Sequence, residues 1–254
     1  MGDPEARSRR PAGQTRARML EVAVERVRAE GLQLDYANIE LEDLIRAAGV
    51  PRSTVFRIWP DRVAFVADLV RALFEADPGF DTGFDDSTRD VLQQAMAREA
   101  PATDATPDGP PAALREALRV TVAHNMAAVE HSVAWRTYRT MSAALASGDA
   151  VPGGEDIRAL LSEIVDRYLG RMAEIYRGLN EAFGLRMREG VDERDLAVAV
   201  MAMIDGMGDH RRIQPTLVDG PRAVALGDEG PRDWHLAGIA VYGIYTAFTE
   251  PADE

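Results

Sequence analysis

Apolar residues recur along most of this chain at helical spacing. Over residues 15–30, Leu20, Ala23, Val24 and Val27 share one helical face, and Gly31 follows as a C-terminal stop. Leu41–Ala48 reads as a short helix closed by Gly49. A second short helix follows over 51–58, with Pro51 in the first turn, where its missing N–H costs nothing. Trp59-Pro60 ends that helix, and Asp61 can cap a longer one reaching Glu75, with Val63, Val66, Val70 and Phe74 inward. The stretch DPGFDTGFDDS at 77–87 is rich in turn residues and marks the clearest boundary. Beyond it the pattern predicts helices over about 88–99, 111–130, 132–147, 154–188, 192–212 and 232–249. Gly170, Gly178 and Gly184 are places where the 154–188 helix can bend or divide. The Pro- and Gly-rich segments 100–111, 148–154 and 213–231 are predicted as loops. Period-2 alternation of β-branched residues is missing, so the fold class is all-α.

The two short helices carry the chemistry. Gly49, inside Ala48-Gly49-Val50, lets the chain turn sharply with φ > 0. Leu44, Val50 and Val55 can then form a small apolar cluster that sets the second helix across the first. That is the physical recipe of a helix-turn-helix, whose second helix enters the major groove of DNA. Charge first points the other way. The 254 residues carry a net −13, and DNA binding runs on phosphate neutralisation. Resolved along the chain, however, residues 1–75 hold 12 Arg against 12 acidic residues, so the excess of acid lies entirely beyond them. Residues 1–18 carry Arg7, Arg9, Arg10, Arg16 and Arg18 against Asp3 and Glu5, and 46–62 carry Arg46, Arg52, Arg57 and Arg62 against Asp61 alone. A neutral head with two positive patches is thus joined to an acidic body. Every basic residue is Arg and none is Lys, which a GC-rich coding bias explains.

Residues 15–75, above all AAGVPRSTVFRIWPDRVAFVADLV at 47–70, resemble the N-terminal domain of TetR/AcrR-type transcriptional regulators. The resemblance includes Thr15-Arg16 opening the first helix, Glu30-Gly31 closing it, Ala48-Gly49-Val50 at the turn and Thr54-Val55-Phe56 in the recognition helix. It extends to the aromatic-Pro-Asp-Arg step at 59–62. It implies a basic arm at 1–14, a helix-turn-helix three-helix DNA-binding domain at 15–76, and a larger helical ligand-binding and dimerisation domain at 77–254. A homodimer is implied, placing two recognition helices in successive major grooves of a pseudo-palindromic operator on double-stranded DNA. Carried over residue by residue, the DNA contacts are Thr15, Arg16, Arg52, Ser53, Thr54, Arg57 and Arg62. A guanidinium from Arg52 or Arg57 can pair bidentately with a guanine edge. Arg62 stands where the family commonly has a phosphate-gripping lysine, assisted by the helix's N-terminal amides. The arm Arg7–Arg10 is either a DNA-tracking segment or a solvated tail. Four positions depart from the family: Phe56 replaces a common tyrosine, Ile58 a histidine, Ile45 a small alanine and Glu40 a threonine. Glu40, Glu42 and Asp43 together form an edge expected to repel DNA.

In the family a small molecule entering the C-terminal domain relieves repression by a population shift between head spacings. Here Met126, Trp135, Tyr138, Met141, Tyr168, Met172, Tyr176 and Met203 offer adaptable sulfur and polar aromatic groups for a small apolar or amphipathic effector. A packed core accounts for the same residues. Gly206 and Gly208, with Gly238 and Gly243, permit close helix approach, and 232–249 is apolar on most sides. The homodimer is therefore expected through helices 192–212 and 232–249, the alternative being a central buried helix. A catalytic role is not expected: His124, His131, His210 and His235 are scattered, and no phosphate loop or nucleophile elbow is present. No cofactor or metal is expected. Zero cysteines and no apolar run near the roughly 20 residues of a membrane span fit a cytoplasmic protein. The alternative function is a helical ligand- or partner-binding protein with weakened DNA binding.

Overall fold

The computed structural model describes residues 12–31, 40–77, 86–98, 112–147, 153–227 and 230–252. The chain is all-α, with 3-residue strands as its only sheet among these residues. It divides into two compact units, one of residues up to Asp77 with Arg136–Ser162, the other of Pro78–Trp135 with Glu163–Glu254.

In the first unit, α1 (Ala12–Glu30) buries Thr15, Met19, Ala23, Val24 and Val27 on one face. It begins three residues before the predicted start, and Gly31 at φ +80° ends it as expected. Next come α2 (Leu41–Ala48), α3 (Arg52–Ile58) and α4 (Arg62–Glu75). Their core is Leu44, Val50, Val55, Trp59, Phe65 and Leu69, all buried with Met19 of α1. Asp61 caps α4 as its sequence position suggests, accepting the Ala64 N–H at 2.8 Å. Most of α7 (Val133–Ala146) and the start of α8 (Gly154–Ala182) complete this unit. Gly153, at φ +69°, lies so close to α4 that an added Cβ would stand 2.1 Å from Val63 Cγ1. The segments 1–11, 78–85 and 99–111, and with them the expected basic arm and two expected breaks, lie outside the described residues.

The second unit contains α5 (Asp86–Arg98), α6 (Ala112–His131), the rest of α8, α9 (Glu193–Ile213), a short α10 (Pro215–Asp219) and α11 (Leu236–Phe248). Two predicted helices prove shorter, for one reason. α8 runs unbroken through Gly170 and Gly178 but stops at Ala182, and Gly184 at φ +63° turns the chain. Leu185–Met187 (β1) then pairs antiparallel with Thr249–Pro251 (β4). Likewise Arg232–Trp234 (β3) is not helical, because it pairs with Arg222–Val224 (β2). The predicted loop at 213–231 therefore holds α10 and β2. Buried Asn180 ties the elements together: its Oδ1 accepts the Tyr245 hydroxyl at 2.6 Å, and its amide donates to Met187 Sδ at 3.3 Å. A capping box of Asp192 and Asp195 starts α9.

Candidate nucleic-acid interface and buried cavity

The turn between α2 and α3 is made by Gly49, left-handed at φ 61° and ψ 38°, whose N–H meets the carbonyls at the end of α2. Val50 follows, bonding Ile45 O at 3.4 Å, and Pro51 at φ −68° leads into α3. Leu44, Ile45 and Ala48 of α2 are buried with Val55 of α3, so the two helices close on an apolar seam. The larger Ile45 is accommodated inside it.

This packing turns Arg52, Ser53, Phe56 and Arg57 outward, with Thr54 half-buried. Arg52 is held in place: its Nε donates to Glu42 Oε1 at 2.7 Å, and its Nη2 lies 2.7 Å from the same oxygen. Its guanidinium carbon lies 5.2 Å from the Phe56 ring centroid, a cation–π contact. Phe56 is 40% exposed, whereas Trp59 is buried. Arg46 pairs with Asp43 at 3.2 Å. The acidic edge expected from Glu42 and Asp43 is thus locally matched by two arginines. Arg57 is exposed and has no ion-pair partner among the described residues. Arg62 is exposed in the first turn of α4, but the first-turn N–H of Ala64 is already taken by Asp61.

The packing corrects one expected DNA contact and draws a second into an ion pair. Thr15 is fully buried, because α1 places it on the same face as Met19 and Ala23. Arg16 reaches α4 instead: Nε donates to Asp68 Oδ2 at 3.0 Å, and Nη2 lies 2.9 Å from Oδ1. Asp68 also accepts the Trp59 indole N–H at 2.6 Å. Trp59 in turn meets Phe65 edge-on at 5.1 Å. Asp68 was not recognisable from sequence, since nothing in its neighbours marks it as a junction.

The second unit holds a cavity walled by α5, α6, α8, α9 and α11. Its volume is about 40 Å³, counted as space open to the centre of a water molecule. Of the expected effector residues, Tyr168, Met172 and Tyr176 line it. Trp135 stands behind, edge-on to Tyr168 at 5.4 Å. Met126 is core, Met203 is half-buried away from the lining, and Tyr138 and Met141 belong to the other unit. Sequence reading missed the walls from α6 (Leu114, Leu118, Thr121, Val122, Asn125) and, on α9, Val200 and Ile204. These residues look like ordinary helical core, and only the helix arrangement leaves a gap between them. Burial pushes the Tyr168 and Tyr176 phenols upward, and the charge of Asp205 adds to the effect at Tyr168. Both phenols stay neutral.

Elsewhere, His124 Nε2 lies 2.8 Å from Ser87 Oγ, and His131 Nδ1 bonds its own helix at Ala127 O, also 2.8 Å. Among the described residues no three His, Asp or Glu side chains gather as a metal site. Nor is any described helix long and apolar enough to cross a membrane. Of the glycines expected at a dimer contact, Gly206 and Gly243 face open space, but Gly238 is packed inside, where a Cβ would stand 3.3 Å from Trp234.

No family model matches the chain, and no curated protein sequence does. Solved structures similar to it include the regulatory protein TetR from Rhodobacter sphaeroides, at 19% identity over 80% of this chain and 89% of that one, with a TM-score of 0.41. NemR from E. coli in its reduced form is 12% identical over 79% and 88%, with a TM-score of 0.48. The flavonoid-responsive regulator FrrA is 16% identical over 92% and 94%, also at 0.48.

Proposed function

We propose that this chain is a sequence-specific DNA-binding transcriptional regulator, acting as a dimeric repressor whose C-terminal helical unit takes up a small effector. The observation that carries the proposal is the α2–Gly49–α3 arrangement, with Arg52, Ser53 and Arg57 displayed on α3. A helix so presented fits a major groove, and its guanidinium groups suit guanine edges or phosphates. The sequence resemblance at 47–70 supports the same reading. Two helix-turn-helix heads on a pseudo-palindrome call for two subunits, and the open glycines of α9 and α11 suit a helix–helix contact between them. A role on DNA implies a cytoplasmic site of action.

The test is selection of bound genomic DNA fragments by the purified full chain. Recovery of a recurrent palindromic site is expected, and Arg57→Ala should weaken binding to it by about tenfold or more, the value of one good base or phosphate contact. Equal binding by wild type and variant removes α3 as the reading helix. A second reading, a partner-binding head with weak DNA affinity, is favoured by the internal ion pairs of Arg16 and Arg52. It predicts that no fragment is enriched at all.

A further inference from the structure

Taking the cavity of the second unit as the effector site proposed above, we infer that its ligand is an uncharged molecule of about one-ring size carrying a hydroxyl or carbonyl group. Sixteen residues line the cavity and none of them is charged. An anion or ammonium group there would lose its hydration with no counter-charge among the lining residues to pair with it. The Asp205 carboxylate, outside the lining but next in sequence to lining residue Ile204, disfavours negative charge at Tyr168.

The cavity is not purely apolar, however. Thr121 is only 4% exposed, and its Oγ1 has no hydrogen-bond partner, not even a carbonyl of its own helix. A buried hydroxyl left unsatisfied destabilises the fold, and such a group marks a place where a partner is missing. Asn125 lies one helical turn further along α6, on the same face and on the same wall. The Tyr176 phenol, kept neutral by burial, comes from α8 opposite. A hydroxyl can give and take a hydrogen bond, an amide offers both, and a phenol prefers to donate. One hydroxyl or carbonyl on the ligand gives Thr121 its missing partner, while leucine, valine and methionine cover most of the remaining lining. The volume bounds the size: about 40 Å³ admits about three waters as it stands, and a single ring only as the lining gives way. Met172 and Met201 can adjust to its outline.

The test is calorimetric titration of the full chain with four matched probes: benzyl alcohol, toluene, benzoate and benzylamine. Benzyl alcohol should bind about tenfold more tightly than toluene, the worth of one buried hydrogen bond, and the two ions should not bind saturably. In Thr121→Val, which keeps the shape, the alcohol's advantage should shrink to about threefold or less, and thermal stability should hold or rise because the unsatisfied hydroxyl is gone. Thr121→Ser should keep the advantage. The inference is overturned if an ion binds as well as the alcohol, if the advantage survives in Thr121→Val, or if no probe binds. DNA retention by the same samples separates the two claims. Enriched DNA with silent probes removes the ligand chemistry and leaves the regulator. Binding of the alcohol with no DNA enriched leaves the cavity chemistry and removes the regulator.

Discussion

Asp68 joins three elements through one carboxylate. It receives Arg16 from α1 and the Trp59 indole from the corner between α3 and α4, and Arg71 of α4 lies 3.6 Å away. Arg16 is half exposed, so its ion pair is worth about 1 kcal/mol or less. The indole bond to a half-buried carboxylate is worth about 1.5–3 kcal/mol. Asp68→Ala should therefore destabilise the chain by about 2–3 kcal/mol, and Arg16→Ala by clearly less, both read from urea unfolding. Trp59 was recognisable in the sequence as the end of α3, but its partner was not, because nine residues of separation and a helix phase decide that contact. Thr15 shows the same limit: the family resemblance implied a DNA contact, and one helical face shared with Met19 withdrew it. His235 gives the residue scale a pH signature. Its Nδ1 accepts the Ala237 N–H at the start of α11, and burial lowers its pKa below 6.5, opposed by the Asp219 carboxylate. The folded chain thus favours neutral imidazole, and the unfolded chain takes up the proton first as pH falls. This contribution is complete above pH 6.5 and is lost below it as pH falls toward the lower folded value. A melting temperature that declines below pH 6.5 in wild type should decline less in His235→Asn, which can still cap.

At the scale of elements, most helices were legible because their stops are chemical: Gly31, Gly49, Trp59-Pro60 and the Asp61 cap all act where the sequence puts them. The two ladders were not legible. Three residues are too few to display a period of two, and their pairing partners are 64 and 10 positions away at the central pairs, as Arg186 with Glu250 and Ala223 with Asp233 sit at opposite ends of intervening helix or loop. Gly49 and Gly153 separate two reasons for glycine. At Gly49 an added Cβ meets nothing within 4 Å, so Gly49→Ala should cost only the left-handed backbone, about 1–2 kcal/mol. At Gly153 the same backbone strain is joined by a 2.1 Å clash with Val63, so Gly153→Ala should cost more. Pairing it with Val63→Ala should recover the difference, measured as a double-mutant cycle of unfolding free energies.

For the whole molecule, net charge of −13 no longer argues against DNA, because it lies beyond the head. The ion pairs of Arg16 and Arg52 leave few cations to meet phosphate, so DNA affinity should be modest and its fall with salt shallow, because that slope follows the number of phosphates neutralised. Assembly can be tested without disturbing either unit's core. Gly243 is exposed on α11 with nothing near its missing Cβ. Gly243→Gln should raise the stability of the isolated chain by up to about 1 kcal/mol through helix propensity, yet shift sedimentation from dimer toward monomer. An unchanged dimer would move the interface elsewhere. The edge-on pair of Trp135 and Tyr168 has an optical consequence. The chain's three tryptophans fall in separate places: Trp59 in the head, Trp234 on β3, and Trp135 one ring behind the cavity wall. A chain keeping Trp135 alone would carry its own dye for cavity occupancy, and one keeping Trp59 alone would report on the head in the same cuvette.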